Sequence, residues 1–453
     1  MLDYKNVELI HKFKDFLDTH NYDIITQKIC SKNYFINPLP NYAYVKSYTK
    51  LLEEKDAYLI RLLLLGDKIS YYKAIDFWGT EIINELIELE VIKNDDNEFI
   101  QTNEIIIIPY MAKYFAVGVP YYYPHCRNKD EDVYIGPDSY ILTNSQICNR
   151  SNKILDLCTG SGIQLITGCE KAGWAKGIGV EYNPNAVPVT RFNVALNSME
   201  DIIEIRTGSL YDPVKEEKFD VIYSNPPFIP VPKGIKYPLC GDGGENGLDI
   251  VDQILAGYDQ HLNDGGWGIM VGETLGDKEG PFLQKSLEKY ISNYDVNLTL
   301  LNSIDLSTQS SNVSSLTNIV NPSERKCDAK QWLELYDKLG ATRYYSFILR
   351  CQKKLVSKIK IRNYADFWKD ENIPALTNKY NFELLEGNKY SIMLDGQTIT
   401  TVDNLIKEFL LLCNGKDSLK TILAKDIFSE DIRKREQIME ACAQLELMNI
   451  ICR

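Results

Sequence analysis

Apolar and polar positions fall into three textures along the chain. From about residue 55 to 110 the apolar positions recur at helical spacing: a segment over 57–65 stopped by Gly66-Asp67, a second short helix, and a third over 80–91. Alternating strand material, EFIQTNEIIIIPY (98–110), follows. From about 130 to 352, short β-rich runs alternate with helical patterns, which predicts a parallel sheet with helices on both faces. Seven strands are expected, at 153–157, 177–181, 202–206, 219–224, 268–271, 296–301 and 344–350. The polar stretch 307–321, rich in Ser, Thr and Asn, is expected to be a long connection between the last two. Beyond about 356, FELLEGNKYSIMLDGQ (382–397) reads as two strands joined at Glu386-Gly387-Asn388. Helices are expected at about 403–413, 418–424 and 430–448, the first closed by Asn414-Gly415. The fold class is therefore α/β, in three units: 1–120, 121–355 and 356–453.

Composition narrows the function. The 453 residues carry 50 Lys+Arg against 63 Asp+Glu, a net charge of −13, which counts against a polyanion as main partner. The first residues mix charge into every apolar run, unlike a secretory signal, and no run approaches the ~18 apolar residues that span a bilayer. Eleven scattered cysteines, none spaced C-x-x-C, speak against a disulfide framework or a structural zinc. A reduced, cytoplasmic protein is expected, with no membrane partner. Four histidines and no H-E-x-x-H leave metal catalysis and a Ser-His-Asp triad without support, so no metal site is expected.

The flanking units resemble known small folds. The 55–110 pattern is similar to a winged-helix domain, with 98–110 as its wing. Such domains often bind DNA, but the candidate recognition helix carries Glu81, Glu85, Glu88 and Glu90 and no Lys or Arg, so a phosphate backbone would be repelled. The order of elements in 356–453 resembles the PqqD-like winged helix that holds leader peptides.

The chemistry is concentrated in two segments. In KILDLCTGSGIQLITGCEKAGWAKGIGVEYNPNAV (153–187), an apolar strand ends in Asp156, turns through Gly160-Ser161-Gly162 and enters an apolar helix. Such a turn lays backbone N–H groups beside a ligand that a Cβ would keep away. A second strand ends in Glu181, where a carboxylate can accept from two ribose hydroxyls. A nucleoside is expected. Leu165 stands where a dinucleotide site has its third glycine, which disfavours NAD.

The other segment, FDVIYSNPPFIPVP (219–232), is an apolar strand ending in Asn225-Pro226-Pro227-Phe228. Two prolines fix φ and remove two donors, holding carbonyl acceptors in a rigid turn at the ligand end of a parallel sheet. Adjacent prolines can also do no more than stop a strand. The functional reading gains from the turn's place at the end of the fourth strand of the same sheet.

DLCTGSGIQ (156–164) resembles the first motif of class I S-adenosylmethionine-dependent methyltransferases, with Glu181 as the acidic end of the second strand. The resemblance implies a Rossmann-like methyltransferase domain of seven strands, flanked here by small winged-helix-like domains. It further implies S-adenosyl-L-methionine as cofactor, held by Asp156, Thr159, Gly160, Ser161, Gly162, Glu181, Tyr182, Asn183 and Asn225. Where the group usually has an acidic residue for the adenine amine, this chain has Ser209, so adenine recognition falls to Ser209 and Leu210.

Asn-Pro-Pro-Phe is similar to the motif of N-methyltransferases acting on planar amino groups, those of release-factor glutamine, adenine and guanine. It implies that Asn225 and Pro226 accept the two hydrogens of an NH₂ while Phe228 stacks on the planar group. Near-attack positioning and developing-charge acceptors would do the work. PLCGDGGENGLDIVDQIL (238–255) resembles a segment of the release-factor glutamine methyltransferase group and is expected to be a flexible pocket edge, with Glu245 a possible contact. Gly136, Pro137 and Ser139 are placed at the pocket mouth, and the 121–126 aromatic cluster is read as packing.

The expected function is N-methylation of a planar nitrogen on a peptide, protein or small-molecule acceptor. A nucleobase methyltransferase is the alternative and would need Lys233, Lys236, Arg127 and Lys129 lining the mouth. A catalytically silent module on the cofactor fold is a third reading.

Overall fold

The computed structural model describes residues 2–30, 41–94, 98–120, 123–124, 133–147, 151–306, 329–354, 358–363, 371–385, 389–394, 397–429, 432–447 and 450–452. The expected 307–321 connection, the 386–388 turn, Tyr121, Tyr122, His125, Cys126, Arg127 and Lys129 lie outside these residues. Among them, no helix is long and apolar enough to cross a membrane.

The chain begins with helices α1 (Val7–Thr19), α2 (Tyr22–Ile29) and α3 (Tyr42–Tyr48). Helix α4 (Glu54–Leu63) is stopped by Gly66 at φ +64°, a left-handed position suited to glycine. The buried Asp67 beside it is paired with Lys46 and Arg61, both at 3.2 Å. Strand β1 (Ile69–Ser70), α5 (Tyr71–Trp78), α6 (Thr80–Glu88), β2 (Ile92–Asn94) and β3 (Phe99–Thr102) follow, the strands forming an antiparallel sheet in the order β1-β3-β2.

The single run expected over 98–110 is two strands. Glu104, at φ +59°, breaks it, and β4 (Ile105–Tyr110) pairs only with β5 (Lys113–Gly118). Four consecutive isoleucines explain why: β4 is buried on both faces, which a wing open to water on one side could not satisfy.

Next come α7 (Pro137–Asn144), β6 (Lys153–Leu157), α8 (Ile163–Lys171), β7 (Lys176–Glu181), α9 (Ala186–Leu196), β8 (Ile203–Thr207) and β9 (Phe219–Ser224). They lead to α10 (Asp249–His261), β10 (Leu262–Gly276), α11 (Leu283–Tyr290), β11 (Tyr294–Asp305), the helix Ala329–Leu339, β12 (Arg343–Lys353) and β13 (Lys358–Asn363).

The central sheet has eight strands, in the order β13-β11-β12-β10-β9-β6-β7-β8, not the seven expected. The extra strand, β13, pairs in parallel with β11 from Asp295↔Lys358 to Leu300↔Asn363, beyond the expected boundary at 355. The sheet is also mixed: β12 runs antiparallel to β10 and β11.

From β6 the chain steps outward through β7 and β8, then crosses back to β9 on the other side of β6. That reversal opens a crevice beyond the carboxyl ends of β6 and β9, where doubly wound sheets take ligands. Leu165 fits although it replaces a glycine, because the room is made on the strand side. A Cβ on Gly177 would stand 2.8 Å from Leu165 Cδ1, and one on Gly179 3.0 Å from its Cδ2.

The N-terminal elements share one apolar core with this sheet, from Ile10 and Phe13 through Ile107 and Phe115 to Phe192 and Val221. Two buried asparagines, Asn193 in α9 and Asn197 at its C-terminal cap, seal the seam. Asn193 accepts from Ala116 N–H at 2.7 Å and donates to Ala116 O at 2.9 Å; Asn197 accepts from Tyr114 N–H at 3.0 Å and donates to Tyr114 O at 2.8 Å. Asn193 also donates to Ser161 O at 2.9 Å, so one side chain ties the β4–β5 hairpin to the glycine turn.

The C-terminal residues have a separate core around Ile392, Phe409, Ile422 and Ile438. Its sheet has three strands, Asn381–Leu385, Lys389–Leu394 and Gln397–Asp403, against the two expected. Helices Asn404–Leu411, Leu419–Leu423, Asp426–Ser429 and Ile432–Leu447 cover it.

Candidate active site

A cavity of about 440 Å³ opens at the carboxyl ends of β6, β7, β8 and β9. Its floor is the turn after β6, where three residues adopt left-handed backbone: Cys158 (φ +61°), Gly160 (φ +51°) and Gly162 (φ +80°). Cys158, Thr159, Gly160 and Ser161 line the wall; Gly162 starts α8 from behind it. A Cβ on Gly160 would find only Cys158 O, at 4.0 Å, so the space over this turn is open.

Glu181 closes the second side. It is 7% exposed, and its two oxygens accept from Gly160 N–H and Asn183 N–H, each at 2.8 Å. Those bonds fix the carboxylate while leaving each oxygen a lone pair for a further donor. Burial pushes the carboxyl above its usual range, and the backbone N–H groups of Asn183 and Gly160 pull it back. Tyr182 and Asn183 continue this wall; Ser209 and Leu210, the latter at φ +45°, form the next.

Asp156 stands behind the wall rather than in it. Thr159 Oγ1 donates to its Oδ2 at 2.6 Å, while its buried Oδ1 has no hydrogen-bond partner among the described residues. Burial pushes the carboxyl up to about 7, against the Thr159 bond and with the Glu181 charge. An uncompensated buried carboxylate oxygen favours a cation nearby.

The turn after β9 is split between two faces. Asn225 and Pro227 line the cavity. Pro226 is buried outside the wall, and Phe228 packs with Trp332, Tyr336, Tyr344 and Leu275. Successive residues of an extended chain point to opposite sides, so Asn225 and Pro227 share the cavity side of the turn while the partly buried Phe228 packs against that cluster.

The Asn225 side chain donates through Nδ2 to Asp138 Oδ2 at 2.8 Å, and its Oδ1 has no partner among the described residues. Asp138 was not singled out from the sequence, although Gly136, Pro137 and Ser139 were. Of those three, Ser139 lines the cavity, Pro137 opens α7 and Gly136 caps it.

The segment after the proline turn is not a flexible edge. Ile229 N–H donates to Gly241 O at 2.8 Å, Gly243 N–H to Ile229 O and Val231 N–H to Gly244 O, both at 2.9 Å. Its glycines allow this contact: a Cβ on Gly243 would lie 2.8 Å from Phe228 Cα, and one on Gly247 2.5 Å from Phe228 O. So held, the segment brings Leu239, Cys240 and Asp242 into the wall. Glu245 turns out of it to pair with Lys338 at 3.2 Å. Val133, Tyr134, Gln164, Val180, Ala186, Gly208, Ile250 and Gln253 complete the lining. Among the described residues, no Lys, Arg or His contributes to the wall.

Residues 137–296 match the family model described as the methyltransferase small domain. The chain is 33% identical over 135 residues to the release factor glutamine methyltransferase of Geobacter sulfurreducens, covering 28% of this chain and 46% of that protein. It is 31% identical over 147 residues to a Methanocaldococcus jannaschii protein named "putative protein N5-glutamine methyltransferase", covering 31% of this chain and 73% of that one. With the ribosomal protein uL3 glutamine methyltransferase of Bradyrhizobium diazoefficiens it shares 32% over 123 residues, 25% of this chain and 39% of that. The chain thus spans less than half the length of two of these three relatives. On the matched small domain and the coverage of the archaeal relative, the chain belongs to the class I methyltransferases of the protein-glutamine group.

Proposed function

We propose that the protein transfers a methyl group from S-adenosyl-L-methionine to a planar amide or amino nitrogen of a peptide, protein or natural-product acceptor, acting in the cytoplasm. The observation that carries this reading is Asn225 in the cavity wall, its Oδ1 unpartnered, in the same wall as Glu181 and the glycine turn.

The residues fit the cofactor. Glu181 would hold a ribose diol, the open backbone at Gly160 and Ser161 the amino acid portion, and the unpartnered Asp156 Oδ1 favours its ammonium group. Ser209 and Leu210 would border the adenine. When bound, the cofactor supplies an electrophilic methyl on a sulfonium. A wall without cations agrees with a ligand that carries positive charge and no phosphate.

An amide nitrogen is a weak nucleophile because its lone pair is conjugated with the carbonyl. Asn225 Oδ1 would accept one hydrogen of the NH₂, leaving the lone pair free to turn toward the methyl. That bond strengthens as positive charge develops on nitrogen, so it favours the transition state over the bound acceptor. Pro227 makes the adjoining wall rigid, and no strong base is required because the methylated, positively charged nitrogen loses its proton readily.

Of the four cations the nucleobase alternative needs at the mouth, Lys233 and Lys236 are exposed and outside the cavity wall, and Arg127 and Lys129 lie outside the described residues. With radiolabelled cofactor, label should enter peptide or small-molecule pools. Label entering only RNA or DNA would overturn the acceptor class, and an absence of micromolar cofactor binding by titration calorimetry would favour a silent scaffold.

The buried Asp156 gives a second test. A cation beside it favours the ionised carboxylate, so cofactor binding should release a proton. Affinity for S-adenosylhomocysteine should then weaken as pH falls below about 7, approaching tenfold per unit by linkage. Asp156→Asn should flatten that profile; a wild-type affinity independent of pH from 5 to 8 would remove Asp156 from the site.

A further inference from the structure

We infer that Asp138 is a positioning residue for the transfer: its carboxylate holds the NH₂ of Asn225 and thereby commits the Asn225 carbonyl oxygen to the acceptor nitrogen. The inference rests on the planar-nitrogen reading above and adds the residue that selects the working orientation of the asparagine.

A carboxamide has two orientations, half a turn apart, that are almost identical in shape. Packing scarcely distinguishes them, so hydrogen-bond partners must. An ionised carboxylate only accepts, and Asp138 Oδ2 lies 2.8 Å from Asn225 Nδ2. The reversed amide would set two oxygens against each other and present a donor to the cavity, where an NH₂ acceptor group needs an oxygen. In the observed orientation Oδ1 is shielded from water and has no partner among the described residues. Such an unmet acceptor is costly, and a donor from the ligand relieves it.

Asp138 is itself held. It sits in the first turn of α7, the Tyr134 hydroxyl approaches its Oδ2 at 3.4 Å, and its Oδ1 folds over Gly136 so closely that a Cβ there would come within 2.4 Å. Gly136 has an ordinary backbone conformation, so the glycine answers to the carboxylate above it rather than to φ. Asp138 does not line the cavity; its effect passes through Asn225.

The test uses the full chain loaded with S-adenosylhomocysteine, with Nα-acetylglutamine amide as probe of a primary amide. Binding is read by NMR, together with hydrogen exchange at the Asn225 side-chain nitrogen. Asp138→Leu should weaken probe binding about tenfold or more, the order expected for a lost buried polar contact, and leave S-adenosylhomocysteine affinity within about twofold. Asp138→Asn keeps an acceptor for the Asn225 NH₂ and should stay near wild type. Asn225→Asp should lose the probe, since it sets two carboxylates together. Adding Asp138→Asn to it restores one donor and one free oxygen, and should recover binding.

Unchanged probe binding in Asp138→Leu, or a double variant no better than Asn225→Asp, would overturn the inference. If Asp138→Leu fails to fold, Asp138→Ser takes its place. A loaded wild-type protein that ignores the probe would count against the amide reading itself. Asp138 would then be judged by Asn225 side-chain exchange: about tenfold faster without the carboxylate supports it, and equal rates overturn it.

Discussion

Replacing Gly160 with valine should abolish measurable binding of S-adenosylhomocysteine in titration calorimetry. Two effects act together. At φ +51° a β-branched residue is strained, by roughly 1–2 kcal/mol for an L-residue in left-handed backbone. The larger effect is steric: the new side chain would project over the open turn, where only Cys158 O lies as near as 4.0 Å, and occupy the ligand's place. Gly234 supplies the control, since it has φ +85° and nothing within 4 Å of a Cβ, yet does not line the cavity. Gly234→Val should bind normally. Retained binding in Gly160→Val would place the nucleoside elsewhere.

For Asn225→Ala the expected result is the reverse split. Cofactor affinity should stay within about twofold, while turnover falls about 100-fold, the scale of removing one positioned group that stabilises developing charge. Single-turnover label transfer separates the two quantities. A parallel loss of binding and turnover would make Asn225 architectural. A modest fall in melting temperature should accompany the change, because Asp138 loses a donor.

The site was legible where chemistry forces residue types close in sequence. The left-handed turn at the cavity floor requires glycines at 160 and 162, and the acidic strand end at 181 marks the neighbouring wall. The proline turn at 225–228 was found for the same reason. The sequence does not show which side each residue faces: Asn225 and Pro227 share the cavity, while Phe228 packs against the cluster around Trp332. A motif gives identity and order, and only the path of the chain gives direction. Asp138 was missed because its partner is 87 residues away, and no local pattern marks such a pair.

The strand errors have equally physical sources. KIKIRN is charged and alternating, as suits an edge strand, and so did not read as part of a buried sheet. Strand β10 runs over 15 residues, but Asn263 to Gly268 contains three glycines, and the sequence points only to its apolar middle, 268–271. The isoleucine run at 105–108 was taken for one-sided alternation when it is apolar without interruption.

The carboxamide of Asn193 has a consequence for how this chain can be divided. The same group that replaces a missing strand neighbour for Ala116 also carries the oxygen of Ser161. A fragment lacking the first 120 residues would therefore expose an apolar seam and leave the cavity floor hanging from an amide robbed of two of its three hydrogen bonds. The front of the molecule is in this sense a foundation for the catalytic half, and inheritance that shuffled the two apart would have to rebuild that corner.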